Sequence, residues 1–169
     1  DTTANLNIAT NNGLIELAGD DFTIGTNNVS IDSGTTNTIL RPADATRQIL
    51  LSDSDTTDAG NAELTQSELG VVSAATLVIG NENTNANIVI ANGDVDISGG
   101  NTTNLALRTQ QNLTSDAAGR TLIGAGNLTL LAGNVTDSAG GDFNLNVTNI
   151  AAEVSGDLNI TEANALNVF

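Results

Sequence analysis

Of the 169 residues, 42 are Leu, Ile or Val and three are Phe. That share of strong core formers, about 27%, exceeds the roughly 20% below which chains stay disordered, so one folded domain over residues 1–169 is expected. Twenty Asp and Glu against four Arg and no Lys give a net charge of −16, which argues against nucleic acid, whose phosphates need clustered cations, and against anionic membrane surfaces. His, Cys, Met, Trp and Tyr are absent as well. Most general bases, thiol nucleophiles, imidazole ligands and aromatic platforms are thereby removed, so neither an enzyme nor a cofactor is expected. No apolar run approaches the roughly 18 residues of a membrane span, so no membrane insertion is expected. No signal peptide heads the chain, and Asp1 is expected to be a start made by processing or by excision from something longer.

In chain order, apolar residues come in two-step pairs: Leu6/Ile8, Ile15/Leu17, Phe22/Ile24 and Val29/Ile31, then Leu77/Ile79, Ile88/Ile90, Val95/Ile97 and Leu105/Leu107. Leu128/Leu130, Phe143/Leu145, Leu158/Ile160 and Leu166/Val168 complete the series. Alternation of this kind predicts short half-buried strands, and the Asn- and Gly-rich segments between them supply turns. Strands so short must share a core. An antiparallel sandwich would use Asn12-Gly13 and Asn92-Gly93 as two-residue hairpin turns. A right-handed parallel β-helix, a β-solenoid with about three short strands per coil, would repeat every 20 or so residues and stack like side chains between coils. The repeated strand-and-turn unit, the scarcity of aromatics and the wealth of Asn and Thr favour the β-helix. At about 20 to 23 residues per coil and about 4.8 Å between coils, seven or eight coils would make a rod of roughly 35 to 40 Å.

Two stretches break the rhythm. Residues 40–76 carry the only Pro and two of the four Arg, and read as an irregular excursion. Within it, Thr65-Gln66-Ser67-Glu68 fits a reciprocal capping box, with Leu64 and Leu69 at the positions of a hydrophobic staple. A helical turn near 66–70 is predicted, stopped by Gly70 and lying against the side of the coil through Leu64, Leu69 and Val72. Residues 109–121 read as a longer turn.

The segments LRPADATRQILLS, ELTQSELGVVSAATLVIGN and NLALRTQQNLTSDAAGRTLIGAGNLTLLAGNVTDSAGGDFNL, within residues 37–169, resemble repeat segments of filamentous-haemagglutinin-like large exoproteins. The order carries the resemblance: Arg-Pro with a following Arg, then Leu-Thr-x-x-Glu-Leu, then Thr-Leu-x-Ile-Gly. The resemblance implies a β-helical stalk in an extracellular or cell-surface adhesin exported by two-partner secretion. This chain shows no secretion domain or terminal effector, so it would be a stalk module, part of a longer repeat protein. Partners would be the chain itself or flanking coils, stacked end to end, with a host or neighbouring-cell glycan or receptor as the alternative. A polysaccharide-acting β-helix enzyme is the third reading.

Individual residues are weighed against plainer roles. Asp53, Asp55 and Asp58 offer hard oxygens to Ca²⁺, but the loop does not follow a helix-loop-helix calcium site, and a solvated acidic loop is the better reading. Seven Asn-x-Ser/Thr sequons, at Asn28, Asn101, Asn112, Asn127, Asn134, Asn146 and Asn159, exceed the chance number of about five only slightly, and Asn suits these turns anyway. The adjacent acids Asp20/Asp21 and Asp94/Asp96 lack the company a glycosidase pair needs. Arg41, Arg47, Arg108 and Arg120 are expected to pair with carboxylates or turn carbonyls. The single Thr-x-Thr run, Thr36-Asn37-Thr38, is too little for an ice-binding face.

Overall fold

The computed structural model describes residues 6–25, 29–55, 60–124 and 126–169. The first elements are β1 (Leu6–Ala9), β2 (Ile15–Gly19), β3 (Val29–Asp32), β4 (Asn37–Pro42), β5 (Ile49–Ser52), β6 (Ala62–Thr65), α1 (Gln66–Leu69) and β7 (Val72–Gly80). They continue with β8 (Ile88–Ala91), β9 (Val95–Asp96), β10 (Asn101–Arg108), β11 (Asn112–Ser115), β12 (Thr121–Ile123) and β13 (Asn127–Ala132). The last are β14 (Asn134–Val135), β15 (Phe143–Asn146), β16 (Asn149–Val154), β17 (Ile160–Glu162) and β18 (Asn167–Val168). Strand dominates, α1 is the one helix among the described residues, and every pairing between these strands is parallel.

Three sheets form. The first runs β1-β3-β7-β10-β13-β16-β18 with β2 and β4 alongside, the second β14-β11-β8-β5-β6, the third β17-β15-β12-β9. From β7 onward the chain visits first, second and third sheet in rotation, each visit one level further along. Where it passes the second sheet after β16, a bridge from Val135 to Leu158 keeps the place. Register holds over long distances: Ile15, Thr38, Leu77, Leu105, Leu128, Ile150 and Val168 form one column across the first sheet. Inward residues of all three sheets meet in a single core, in which Leu77, Ile79, Ile88, Leu105, Leu113, Leu122 and Phe143 are almost fully buried. Each such side chain withdrawn from water contributes roughly 1.5–3 kcal/mol, which is how strands of two to nine residues hold together.

Asn12 and Asn92 do adopt left-handed turns, with φ of 59° and 61°, but neither closes a hairpin. Asn12 joins β1 to β2, which lie in one sheet without pairing, and Asn92 joins β8 to β9, which lie in different sheets. Phe22 and Ile24 form no strand, although both pack half-buried on the core. Residues 109–121 are more than a turn, because β11 lies inside them and pairs with β8 and β14.

The excursion at 40–76 departs furthest from expectation. Strand is the commonest state among its described residues, from the end of β4 through β5 and β6 to β7. β5 pairs with β8 on one side and with β6 on the other, Leu51 facing Ile90 and Leu64. β6 thus stands where the first level would place a strand in the second sheet, and no strand of the described first-level residues occupies that position. α1 follows at the edge of the third sheet: its Gln66 Oε1 accepts from the β9 N–H of Asp96 at 3.0 Å, and Glu68 Oε1 accepts from the N–H of Ile24 at 2.8 Å. The helix forms as predicted, with Thr65 as N-cap and the reciprocal Thr65–Glu68 box complete. It does not lie on the outside, however. Leu64, Leu69 and Val72 are buried in the central core, since the excursion supplies missing wall rather than a cover.

Candidate interaction surfaces

Polar side chains line the corners between sheets, and the most regular are asparagines placed just before an inward apolar residue. Asn104, Asn127, Asn149 and Asn167 share one column of the first sheet. Asn127 Nδ2 donates to Asn104 Oδ1 at 2.6 Å, Asn149 to Asn127 at 2.6 Å, and Asn167 to Asn149 at 3.2 Å. At the lower end Asn104 Nδ2 donates to the Ala75 carbonyl at 2.6 Å, where Thr76 takes the column position. Shorter ladders join Asn134 to Asn112 at 2.8 Å and Asn164 to Asn146 at 2.6 Å. An amide side chain carries a donor group and an acceptor oxygen side by side, so identical copies link from level to level at the spacing of paired strands. Stacked Asn and Thr were expected from composition, but the rungs themselves were not singled out. The signal that finds Asn104, Asn127 and Asn149 is Asn followed by Leu or Ile recurring 22 to 23 residues apart.

The sequons mostly fall in this scheme. The Nδ2 atoms of Asn127 and Asn134, the atoms a glycan would modify, donate to the rung below. Asn112 and Asn146 accept from the rung above, and Asn159 is half-buried beside β17. Asn101 opens β10, and Asn28 lies outside the described residues.

Acidic groups gather at the end of the molecule where β6 and α1 meet residues 21–25. Asp21, Asp55, Glu63 and Glu68 line a recess of about 330 Å³, with Phe22 and Thr65 on its walls. Glu68 is occupied: Oε1 takes the Ile24 N–H, and Oε2 takes the Thr65 N–H and hydroxyl at 2.9 and 3.0 Å. Glu63 Oε1 accepts from the Ser52 hydroxyl at 2.7 Å. Of the Ca²⁺ trio, Asp55 lies at this recess, Asp53 lies beside Gly93, and Asp58 falls outside the described residues. No group of three or more acidic, His or Cys side chains among the described residues is placed to hold a metal ion.

Other charged residues serve local structure. Asp94 and Asp96 flank the buried Val95, as ordinary strand alternation requires, and accept from Thr121 N–H and Ser98. Asp20 faces Arg47 at 3.7 Å, Arg41 pairs with Glu16, and Arg120 pairs with Asp116. Arg108 is exposed in the column that holds Gly80 and Leu131. Gly80 sits at φ 74°, and a Cβ there would collide with the Arg108 carbonyl oxygen, so this position admits only glycine. Thr38 of the Thr-x-Thr run points inward and bonds Ser33 at 3.0 Å.

Among the described residues the exposed large apolar groups are Leu14, next to β2, and Leu158, Val168 and Phe169 in the last described turns. No protein-family model, curated protein or solved structure matches the chain. No helix among the described residues is long and apolar enough to cross a membrane.

Proposed function

We propose that this chain is a stalk segment of an extracellular, cell-surface exoprotein of the filamentous-haemagglutinin-like kind, built as a right-handed parallel β-solenoid whose work is to hold distance. The observation that supports this most directly is the unbroken column of the first sheet with its asparagine ladder. From β7 onward each level repeats the one beneath, and stiffness and length are what repetition supplies. The acidic exterior suits the same role, since like charges keep neighbouring rods apart and hydrated. Growth would proceed by stacking coils end to end, from flanking coils or from further copies. The carboxylates of the recess are no part of a catalytic proposal, because Glu68 and Glu63 already serve the backbone and side chains around them.

Electron microscopy of the purified chain with two-dimensional averaging tests this reading. Elongated particles with a repeat near 4.8 Å along their length are expected. Compact particles without that repeat would overturn it. A second reading, a glycan- or receptor-binding module, has the recess beside Asp55 and Glu63 as its place. A glycan array in which binding disappears on Asp55→Asn would favour that reading over the stalk.

A further inference from the structure

Strands β7, β10, β13 and β16 form the middle of the first sheet, and together they contain two charged residues, Arg108 and Glu153. In a chain of net charge −16, this stretch of wall is electrically neutral. Register sets both charges in one row, in which Gly80, Arg108, Leu131 and Glu153 follow one another from strand to strand. The row faces outward, since Ile79, Leu107 and Leu130 beside it belong to the core. Arg108 and Glu153 are exposed, and the half-buried Leu131 stands midway between them. The other three arginines each form an ion pair, whereas Arg108 and Glu153 have no ion-pair partner among the described residues. Two strand spacings of about 4.8 Å hold them apart. With Leu131, Thr129 and Ala151 they line one shallow recess of about 420 Å³.

We propose that this face binds the same face of a second copy, side by side and antiparallel, about a two-fold axis that lies in the interface and runs along β13 at Leu131. Turning a flat sheet onto its own copy about that axis exchanges the levels on either side of β13 and keeps the rows aligned. Leu131 then meets its own counterpart, and β10 of each copy lies over β16 of the other. Arg108 of each copy faces Glu153 of the other, so the two unpaired charges are satisfied twice over. In the neighbouring outward row Ala106 faces Ala151 and Thr129 faces itself, so only small side chains stand beside the ion pairs and the sheets can approach. The contact is isologous and closes as a dimer. Parallel packing would instead set Arg108 against Arg108 and Glu153 against Glu153, which like-charge repulsion disfavours. Rods that point the same way are thus kept apart, while rods that point opposite ways pair. Four strands about 4.8 Å apart span roughly 20 by 25 Å, less than the roughly 800 Å² a side of a stable interface, so the pair is reversible. The proposal goes beyond the stalk reading and uses only the register of the first sheet.

Sedimentation equilibrium in about 0.15 M salt, where general repulsion is screened beyond roughly 8 Å, tests the pairing. The unsubstituted chain of 17.1 kDa is expected to exchange reversibly with a dimer. Arg108→Glu and Glu153→Arg are each expected to weaken association at least about tenfold, because each sets like charges face to face. An equal mixture of these two variants should recover it, and so should the double variant Arg108→Glu/Glu153→Arg, whose pairs are only reversed. Both positions are exposed, and circular dichroism checks that every variant keeps its β-structure. An equal mixture of the double variant with the unsubstituted chain should associate no more tightly than either alone. Tighter association of that mixture marks parallel packing and overturns the two-fold arrangement. A folded unsubstituted chain that stays a monomer up to millimolar concentration, or a dimer that the single reversals leave unchanged, overturns the proposal. Neither result touches the stalk reading, which stands or falls on the repeat along single particles.

Discussion

Asn127 is a half-buried side chain joined to like residues above and below. Asn127→Ala removes both links and leaves Asn104 Oδ1 and Asn149 Nδ2 without their partners, which should cost about 1–3 kcal/mol in a denaturant titration. Asn127→Asp should cost more, because it sets a carboxylate against the Asn104 oxygen. Asp44 offers a residue-scale test of a different sort. The Thr46 backbone N–H, at 2.9 Å, and then the Thr46 hydroxyl hold its carboxyl below the usual 3.8, and the Arg47 charge adds a little. A depressed folded-state value means that the stabilisation is present above 3.8 and is lost as pH falls through the lower folded-state value. Carboxyl-carbon NMR should therefore show Asp44 titrating below 3.8, and Thr46→Ala should move its midpoint part of the way back.

At the scale of the element, α1 is four residues long and owes its existence to its cap. Thr65→Ala should lose about 1 kcal/mol, the usual worth of an N-cap hydroxyl. Glu68→Ala should lose about 1–3 kcal/mol, since it also strips the N–H groups of Thr65 and Ile24 of a buried acceptor. Combined, the two should cost less than their sum in thermal melts, because they share the same bonds. This helix was legible from four residues, as capping is a local affair of donors and acceptors. Strands with two alternating apolar residues, such as Leu105/Leu107 and Phe143/Leu145, were legible for the same reason. β14 escaped because two residues, Asn134 and Val135, carry no alternation at all. The placement of β6 escaped too: Leu64 reads as a staple residue, and only the parallel pairing with β5 shows it facing the core. The asparagine ladder was hidden by abundance, since among 24 asparagines a recurring one has no local mark.

Across the whole molecule, one core runs through all three sheets, so damage to it is not confined to a level. Phe143, fully buried opposite Ile160, should cost about 3–5 kcal/mol on conversion to Ala, read from the shift of the denaturation midpoint. A net charge of −16 on so small a body opposes compaction and close approach alike. Raising salt from about 0.01 to 0.15 M shortens the screening length from roughly 30 to 8 Å. The melting temperature should therefore rise, and the sedimentation coefficient of the unsubstituted chain should rise with it. The insertion of β6 beneath β5 also sets a timetable. As the chain leaves the ribosome, β1 to β4 emerge with one wall of their first level open, and that wall cannot close until residues 62–69 have been synthesised. β1 and β2 should thus be the last part of their own neighbourhood to become protected from hydrogen exchange, and a chain truncated before residue 62 should leave them exposed to protease.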